Sequence, residues 1–488
     1  MKKHILIISA ALLLNFFNSC SERDLELLPP AADQITNINT EDKLQKMLNG
    51  SYLSISSASA LGSNLFVFGD ILGDKIYNST SRALFIQSYD YNYNGLQNQF
   101  GFYRSMYDAI VSSNSVINNT LVMDNENVKN IKGQAKILRG LSYLILVNYY
   151  SPTPTSGVNQ EYGVPLVLAD YDVTIQPARA TVAEVYNQII KDLTEGMNQT
   201  AESADKVMLG PQAAKLLLSR VYLTRRAAGD AQLALQYATE VANSAPTGSF
   251  KVGGSYTPAL YANYFRGTDD TVYENHPETI WELDQNFFSN QITGIGSNGA
   301  LPVYYSAGDN TRRSLLATKN LYDSFGSDLD IRRGAINTGL FSNQAVTPDA
   351  VPGYWINKFP RLTSSGNFYR NIKVLRYSES FLNRIEALRL TGQEGLALIE
   401  LNAFAASRKG TTYSGTDLLR DILTERSKEF YGEGQRFLDL KRYNLPVVRT
   451  SNCTTCELQA SDYRFVLPVS QAAINSNPNL KQYPGYSN

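Results

Sequence analysis

Apolar residues recur every three to four positions through most of the chain. The spacing is clearest in residues 131–149, where Leu138 and Ile145 belong to one apolar stripe. Such a stripe is typical of a helix packed on a core, because a helical turn takes about 3.6 residues. Thr181 and Glu184 form a capping-box pattern at the start of another such segment, and together these patterns predict a mainly α-helical protein. The same spacing runs through residues 103–118, 182–197, 213–223, 231–242, 381–390, 396–405 and 418–430.

Several of these helical segments form pairs that resemble tetratricopeptide repeats. In one pair, Ser219 and Tyr222 on the first segment are followed by Ala231 and Leu235 on the second. Small residues at these positions let two helices approach closely, and the larger ones fill the remaining gap. We therefore predict a scaffold of tetratricopeptide-like helix pairs. The pairs are residues 131–149 with 182–197, 213–223 with 231–242, and 381–390 with 396–405.

Strand-like segments are few, and residues 278–284 and 464–467 are the best candidates. Trp281 alternates with Ile280 and Leu283, which favours a position in the core. Four long segments lack a clear period and are rich in Tyr, Asn, Gly and Asp, a composition that favours ordered binding loops over disorder. These irregular segments are residues 55–101, 150–178, 246–312 and 333–372.

The first twenty residues have the pattern of a lipoprotein signal. Two lysines follow Met1, an apolar stretch covers residues 5–17, and Ser19 precedes Cys20. A basic start, a short apolar core and a small residue before the cleavage site describe a secretory signal rather than a membrane span. We predict that residues 1–19 are removed and that Cys20 becomes lipid-attached at the start of a tether, residues 20–40. The alternative is an ordinary secreted protein with an incidental cysteine.

Charge and histidine content exclude several classes of function. The formal net charge is −1, without the concentrated positive charge that nucleic acid or an anionic surface requires. Only two histidines occur, and His276 is the single one outside the signal, so a zinc site or a Ser-His-Asp enzyme is hard to assemble. Gly294-x-Gly296-x-x-Gly299 lacks the strand and helix of a dinucleotide site and indicates a flexible loop. We predict no metal and no cofactor.

Cys453 and Cys456 are the remaining cysteines once Cys20 is lipidated. Their Cys-Thr-Thr-Cys spacing occurs in redox and zinc motifs of cytosolic proteins. Here the pair follows Pro446 and a polar run, and a secreted protein enters an oxidising compartment. We therefore predict a local loop disulfide between Cys453 and Cys456.

A dense group of charged residues lies near the C-terminus. Paired carboxylates perform glycoside hydrolysis, so an acid/base site is one interpretation. Three of the glutamates share one helix face at a spacing of four residues, and basic partners lie within the same segment. We therefore predict a structural ion network and no catalytic residue. Its members are Glu425, Arg426, Glu429, Glu433, Arg436, Asp439 and Arg442.

Four segments of the chain resemble the SusD/RagB family. Residues 417–443 contain a Glu-Arg helix that runs into Glu-Gly-x-Arg and Asp-Leu-x-Arg, similar to the family's C-terminal signature. Residues 467–486 are similar to its closing motif, and residues 377–387 carry a related Tyr-x-Glu and Arg-x-Glu-Ala run. Residues 135–166 also fit the family, with Gly-Val-Pro-Leu at their end. The resemblances follow one another in family order and span nearly the whole mature chain.

The resemblance implies a helical scaffold, residues 41–245, with residues 246–488 packed on it as the C-terminal region. Family members bind a glycan, or less often a peptide, and act as lids on TonB-dependent transporters of the SusC type. The acidic tether resembles the signal that directs lipoproteins to the exterior face of the outer membrane. We therefore expect a lipid-anchored, non-enzymatic protein that delivers an oligomeric nutrient to such a transporter. The alternatives are a peptide-binding lid and, third, a surface glycoside hydrolase.

Candidate ligand-binding residues lie in the irregular segments. Gly73-Asp74-Lys75 resembles the acidic turn from which family members contact their ligand. Aromatic rings can stack on sugar faces while planar polar groups bind hydroxyls. The alternation of three nearby tyrosines suggests one side of an extended strand, although each ring has packing as its alternative role. The candidates are Asp74, Arg82, Tyr89, Tyr91, Tyr93, Asn94, Tyr304, Tyr305 and Trp355.

Overall fold

A computed structural model describes most of the chain, with interruptions in several loops. The predicted signal, Cys20, Arg82 and the Gly294–Gly299 loop lie outside the described residues. Within those residues, no helix combines the length and apolar character needed to cross a membrane. The described residues are 37–80, 84–266, 274–285, 300–306, 314–343, 349, 351–359 and 371–486.

Helices account for most of the regular structure. The first eight are α1 (Glu41–Ser56), α2 (Asn64–Ile71), α3 (Ile86–Tyr89), α4 (Phe102–Ile117), α5 (Glu126–Tyr150), α6 (Val182–Gln199), α7 (Pro211–Arg225) and α8 (Asp230–Ser244). The others are α9 (Pro258–Arg266), α10 (Leu301–Tyr305), α11 (Lys319–Ser324), α12 (Tyr377–Leu390), α13 (Glu394–Ser407), α14 (Leu418–Phe430), α15 (Arg436–Arg442) and α16 (Gln471–Ser476). The predicted helix-rich fold is confirmed.

The predicted helix pairs are the pairs α5–α6, α7–α8 and α12–α13. Each helix packs on the next in the order α1, α4, α5, α6, α7, α8, α12 and α13, so the pairs form one continuous stack. Close approach depends on small residues, as at Gly196 of α6, which lies against Ile137 and Gly133 of α5. The capping box at Thr181 and Glu184 is present as predicted.

Short antiparallel strands lie beside the helical stack. Strands β1 (Ile76–Asn78), β3 (Leu315–Ala317), β5 (Tyr354–Ile356) and β4 (Phe341–Asn343) form one sheet in that order. Strand β2 (Thr279–Leu283) pairs with β6 (Ile372–Arg376), and β7 (Val447–Val448) pairs with β8 (Glu457–Leu458). Trp281 on β2 is fully buried, which agrees with its predicted core position.

Two local predictions were wrong. The strand predicted at residues 464–467 is instead a 3₁₀ turn, Tyr463–Phe465, because the Asp462 carboxylate accepts a hydrogen bond from the Arg464 amide and closes the turn. The segment 55–101 was predicted irregular but contains α2, β1 and α3, and the segments 246–312 and 333–372 likewise contain α9, α10, β4 and β5. Helix α2 is buried along almost its whole length, so it carries no alternation of apolar and polar residues from which its period could be read.

The contact at Gly196 predicts opposite effects for two Gly→Ala substitutions in helices. A Cβ at Gly196 would lie 2.6 Å from Ile137 Cγ1 and 2.8 Å from the Gly133 carbonyl oxygen, so Gly196→Ala should lower the free energy of unfolding by about 1–3 kcal/mol. A Cβ at Gly50 in α1 meets nothing within 4 Å, so the matched Gly50→Ala should raise it by about 0.5–1 kcal/mol. Urea denaturation compares the two variants, and equal shifts would contradict the close helix approach.

Candidate ligand-binding site

A buried carboxylate, that of Glu429 on α14, lies among three arginines from other parts of the chain. Its oxygens lie 2.6 Å from Arg376, 3.4 Å from Arg332 and 3.5 Å from Arg408. Burial alone would raise the pKa of Glu429, but the guanidinium groups of Arg408, Arg376 and Arg332 outweigh it and hold that pKa well below its usual value. Tyr261 also donates to this carboxylate, at 3.1 Å.

Every member of the predicted ion network forms an ion pair in the structure. Sequence reasoning expected the basic partners within the same segment, but several of them lie far away in sequence. A helix-periodic charge pattern cannot reveal such partners. The pairs are Glu425 with Arg332 and Lys428, Glu433 with Arg376 and Lys358, Arg426 and Arg442 with Asp439, Arg442 with Glu386, and Arg436 with Asp74.

Asp74 lies in the acidic turn after α2, where ligand contact was expected. Its carboxylate instead accepts two hydrogen bonds from Arg436, at 2.7 and 2.9 Å, and lies 3.4 Å from the Lys75 ammonium. Burial opposes ionisation, but Arg436 lowers the pKa of Asp74 to about 2. Asp74 therefore connects the turn to α15 through Arg436, and its side chain is only slightly exposed.

Three of the candidate tyrosines are buried, which agrees with packing, the alternative role given for each ring. Tyr89 ends α3 and Tyr91 has a left-handed backbone (φ 55°), so the extended strand suggested by their alternation is absent. The hydroxyls of Tyr89, Tyr91 and Tyr93 donate to backbone carbonyls at 2.5–2.6 Å. The Arg449 guanidinium lies 4.2 Å from the rings of both Tyr89 and Tyr91, and sequence reasoning missed this residue.

The other aromatic candidates, Tyr304, Tyr305 and Trp355, are also buried, which again agrees with packing. Pro302 lies in the first turn of α10, where a proline is tolerated, and every residue of this short helix is buried. Tyr305 donates to Asp70 at 2.7 Å, and burial raises the pKa of Asp70 to about 7.

Asn94, the remaining described candidate, is half-buried. Its side-chain oxygen accepts hydrogen bonds from the amides of Leu96 and Gln97, at 2.9 and 3.0 Å. It therefore orders a turn in this structure. Of the nine predicted ligand residues, Arg82 lies outside the described part of the chain.

Polar and aromatic groups that sequence reasoning missed lie along the four-stranded sheet. The carboxylate of Asp349 accepts from the Thr80 amide at 2.9 Å, the Thr80 hydroxyl at 2.7 Å and the Tyr77 hydroxyl at 3.3 Å. Desolvation, reinforced by Asp349, raises the pKa of Tyr77 above its usual range, so its hydroxyl stays protonated. Asp349 thereby joins the end of β1 to the segment that precedes β5.

Tyr354 presents a half-buried ring on β5, an inner strand of the same sheet. It stacks on Tyr322 with centroids 3.9 Å apart and planes 12° apart, and the Arg333 guanidinium lies 4.0 Å from the Tyr322 ring. Asn343 pairs with Tyr354 across β4 and β5 and is exposed. The predicted Trp355, its neighbour on β5, is buried, so Tyr354 is the more accessible of the two rings.

We call the surface around the stacked rings the sheet rim, defined by Tyr322, Asn343 and Tyr354. It offers an ordered aromatic ring and an exposed amide on paired strands about 4.8 Å apart. These groups can stack on a ring and exchange hydrogen bonds with hydroxyls. No group of three or more metal-ligating side chains occurs among the residues with described positions.

Family comparisons agree with this architecture. Residues 25–223 match a SusD-like family described as starch-binding and associating with the outer membrane, and residues 337–486 match the SusD/RagB family. The chain belongs to the SusD/RagB family. Family members are starch- and glycan-binding proteins rather than enzymes.

Individual SusD relatives match over most of their length. A SusD-like protein of Bacteroides ovatus is 23% identical over 90% of this chain and 82% of its own. A SusD superfamily structure from Bacteroides thetaiotaomicron is 25% identical, with a TM-score of 0.78, and the match covers 91% of this chain and all of the other. A SusD-like carbohydrate binding protein from Bacteroides vulgatus is 20% identical, with a TM-score of 0.74, over 91% of this chain and 97% of the other.

The SusD/RagB signature segment, residues 417–443, contains most of the buried ion network. Glu425, Glu429 and Glu433 are all buried or nearly so and paired with cations, so none is presented to a substrate. Cys453 and Cys456 are joined by a disulfide, and the Thr454 amide between them donates to Asp90 at 2.9 Å. This short loop thus lies against the segment that carries Tyr89 and Tyr91.

Removal of one network arginine should strongly destabilise the protein. Arg376→Met leaves Glu429 and Glu433 buried without their main partner, and we expect a loss of about 3–5 kcal/mol in the free energy of unfolding. Arg104→Met is the matched control, because Arg104 is 89% exposed and lies 3.7 Å from Asp108, and we expect a change of about 0.5 kcal/mol or less. Similar urea midpoints for both variants would refute a structural role for the network.

Proposed function

We propose that this protein binds an oligomeric nutrient, in the first place a glycan, at the outer cell surface and delivers it to a SusC-like TonB-dependent transporter. Membership of a family described as starch-binding and associating with the outer membrane supports the glycan and the location. The buried, ion-paired carboxylates of α14 favour binding without hydrolysis, since a glycosidase needs carboxyl groups that reach the substrate.

We place the glycan at the sheet rim. The carrying observation is the accessible ring of Tyr354, held parallel to Tyr322 at 3.9 Å and flanked by the exposed amide of Asn343. Sugar rings present C–H faces that pack on aromatic rings, and their hydroxyls both donate and accept hydrogen bonds, as an amide does. The second stacked ring limits the motion of Tyr354, so little ordering entropy is lost on binding.

A lipid anchor at Cys20 is the proposed attachment to the membrane. The tether from Cys20 to Asn37 has 16 intervening residues and, fully extended, spans at most about 60 Å. Acyl chains on one cysteine hold a soluble domain at a bilayer without a spanning segment. The domain can therefore stay close to a transporter in the same membrane, which raises their effective concentration.

Calorimetry on the chain lacking residues 1–20 tests the binding site. The panel contains starch-, xylan- and mannan-derived oligosaccharides together with short peptides. We expect at least one oligosaccharide to bind without being cleaved, and Tyr354→Ala to weaken it about tenfold, the effect of losing one well-packed aromatic contact. Tyr171→Ala is the control, because Tyr171 is 70% exposed and remote in sequence from the sheet rim.

Each outcome of this experiment decides a separate part of the proposal. Binding that Tyr354→Ala leaves unchanged would show that the sheet rim is not the site. Binding of peptides alone would replace the glycan with a peptide ligand, and release of shorter sugars would show a hydrolase.

Membrane fractionation tests delivery and attachment in the native cells. We expect the wild-type chain in the outer-membrane fraction, co-purifying in mild detergent with a large β-barrel protein, because lipid and partner both retain it. Cys20→Ala should release the chain from that fraction, whereas Cys453→Ala with Cys456→Ala should not. Purification of the anchored chain without any transporter would refute delivery to a SusC-like partner.

A further inference from the structure

A concavity, here called the tail cleft, is formed by residues that take no part in the sheet rim. It is formed by the segment that follows α5, the end of α15 and two stretches near the C-terminus, residues 460–466 and 483–484. Its volume is 410 Å³, and it shares no lining residue with the sheet rim. The lining side chains used below are Thr155, Asn159, Lys441, Asn444, Asp462 and Tyr463.

Amide and hydroxyl groups provide the polar surface of the tail cleft. The side chain of Asn444 accepts from the Thr153 hydroxyl at 3.1 Å and donates to the Thr155 hydroxyl at 3.3 Å. Asn159 donates to the Tyr483 hydroxyl at 3.1 Å. An amide has two donors and two acceptor positions, so each asparagine can still exchange hydrogen bonds with a ligand. Both asparagines have a left-handed backbone (φ 50°), which fixes their position at the cleft.

The charged groups of the tail cleft already have hydrogen-bond partners within the protein. Both oxygens of Asp462 accept from Arg464, at 2.9 and 2.7 Å. The Lys441 ammonium donates to the carbonyls of Asn148 and Ser151 at the end of α5, at 2.7 and 2.9 Å. Burial also lowers the pKa of Lys441 to about 7. With both charged side chains bonded inside the protein, the cleft presents mainly amides, hydroxyls and an aromatic ring, which suits a neutral ligand.

Tyr463 supplies an accessible aromatic surface. Its side chain is 39% exposed, and an edge contact with Tyr486, at 4.8 Å between centroids and 82° between planes, holds the ring in place. An ordered ring beside amides and hydroxyls suits a ligand that has apolar faces and many hydroxyls. Small-molecule sites span about 300–1,000 Å³, so this cleft takes a short ligand.

We propose that the tail cleft binds a neutral saccharide of one or two sugar residues, as a site separate from the sheet rim. This proposal takes only the class of ligand, a saccharide, from the proposed function. A second site of this kind would hold a chain end or side branch of the same oligomer and increase its retention through bivalent binding.

Fluorine NMR of the fluorotyrosine-labelled chain lacking residues 1–20 observes this site directly. The Tyr463→Phe variant identifies the Tyr463 resonance, and the probes are maltose, cellobiose and xylobiose, with glucuronic acid and glucosamine as charged comparators. We expect a saturable shift of the Tyr463 resonance with at least one neutral disaccharide. Asn159→Gly should weaken that response about two- to tenfold, since glycine keeps the left-handed backbone and removes one hydrogen-bonding amide.

The resonance of the exposed Tyr171 is the internal control and should not move. A Tyr463 shift that persists in Tyr354→Ala would show that the two sites are independent. The absence of a saturable Tyr463 shift with all three neutral disaccharides would contradict saccharide binding in the tail cleft. A stronger response to a charged sugar would contradict its preference for a neutral ligand. The calorimetric test of the sheet rim is separate from this one. If Tyr354→Ala abolishes the calorimetric response, the proposed function holds whether or not the Tyr463 resonance shifts.

Discussion

A buried carboxylate must be paired, and the structure meets this constraint at Glu429. The arginines that pair with it come from three separate parts of the chain, so each part is fixed relative to α14 by charge as well as by apolar packing. Arg376 ends β6 and begins the third helix pair, which makes it the connection between sheet and helical stack. The rest of the C-terminal half is arranged around this centre.

Charged side chains and uncharged polar side chains have different roles in this structure. Ionised groups near the C-terminus are mostly used internally, and the hydroxyls of the buried tyrosines are bonded to backbone carbonyls. What remains accessible at the sheet rim and the tail cleft is mostly uncharged: tyrosine rings, amides and hydroxyls. Such surfaces suit ligands that carry many hydroxyls and little charge.

Local periodicity explains how much of the fold could be predicted. The helix pairs were predictable because each buries one face, and α2 was missed because it is buried almost throughout. Glu425 and Glu429 were predictable from their spacing on α14, whereas Glu433, expected on the same helix face, lies beyond the end of that helix. Their partner Arg332 lies 97 residues from Glu429, a separation that no local pattern reports. Tyr89 and Tyr354 are both tyrosines in segments predicted to be irregular. Tertiary packing alone decides that the first ring is buried and the second is accessible.

The contacts of Arg449 affect how the chain folds during its synthesis. Its guanidinium donates to the carbonyls of Ile71 and Gly73 and lies against the rings of Tyr89 and Tyr91, so residues near the start of the domain depend on one near its end. Synthesis proceeds from the N-terminus. The segment of residues 71–91 therefore stays incompletely packed until nearly the whole polypeptide has been made. A fragment that ends before residue 449 lacks these contacts of its core.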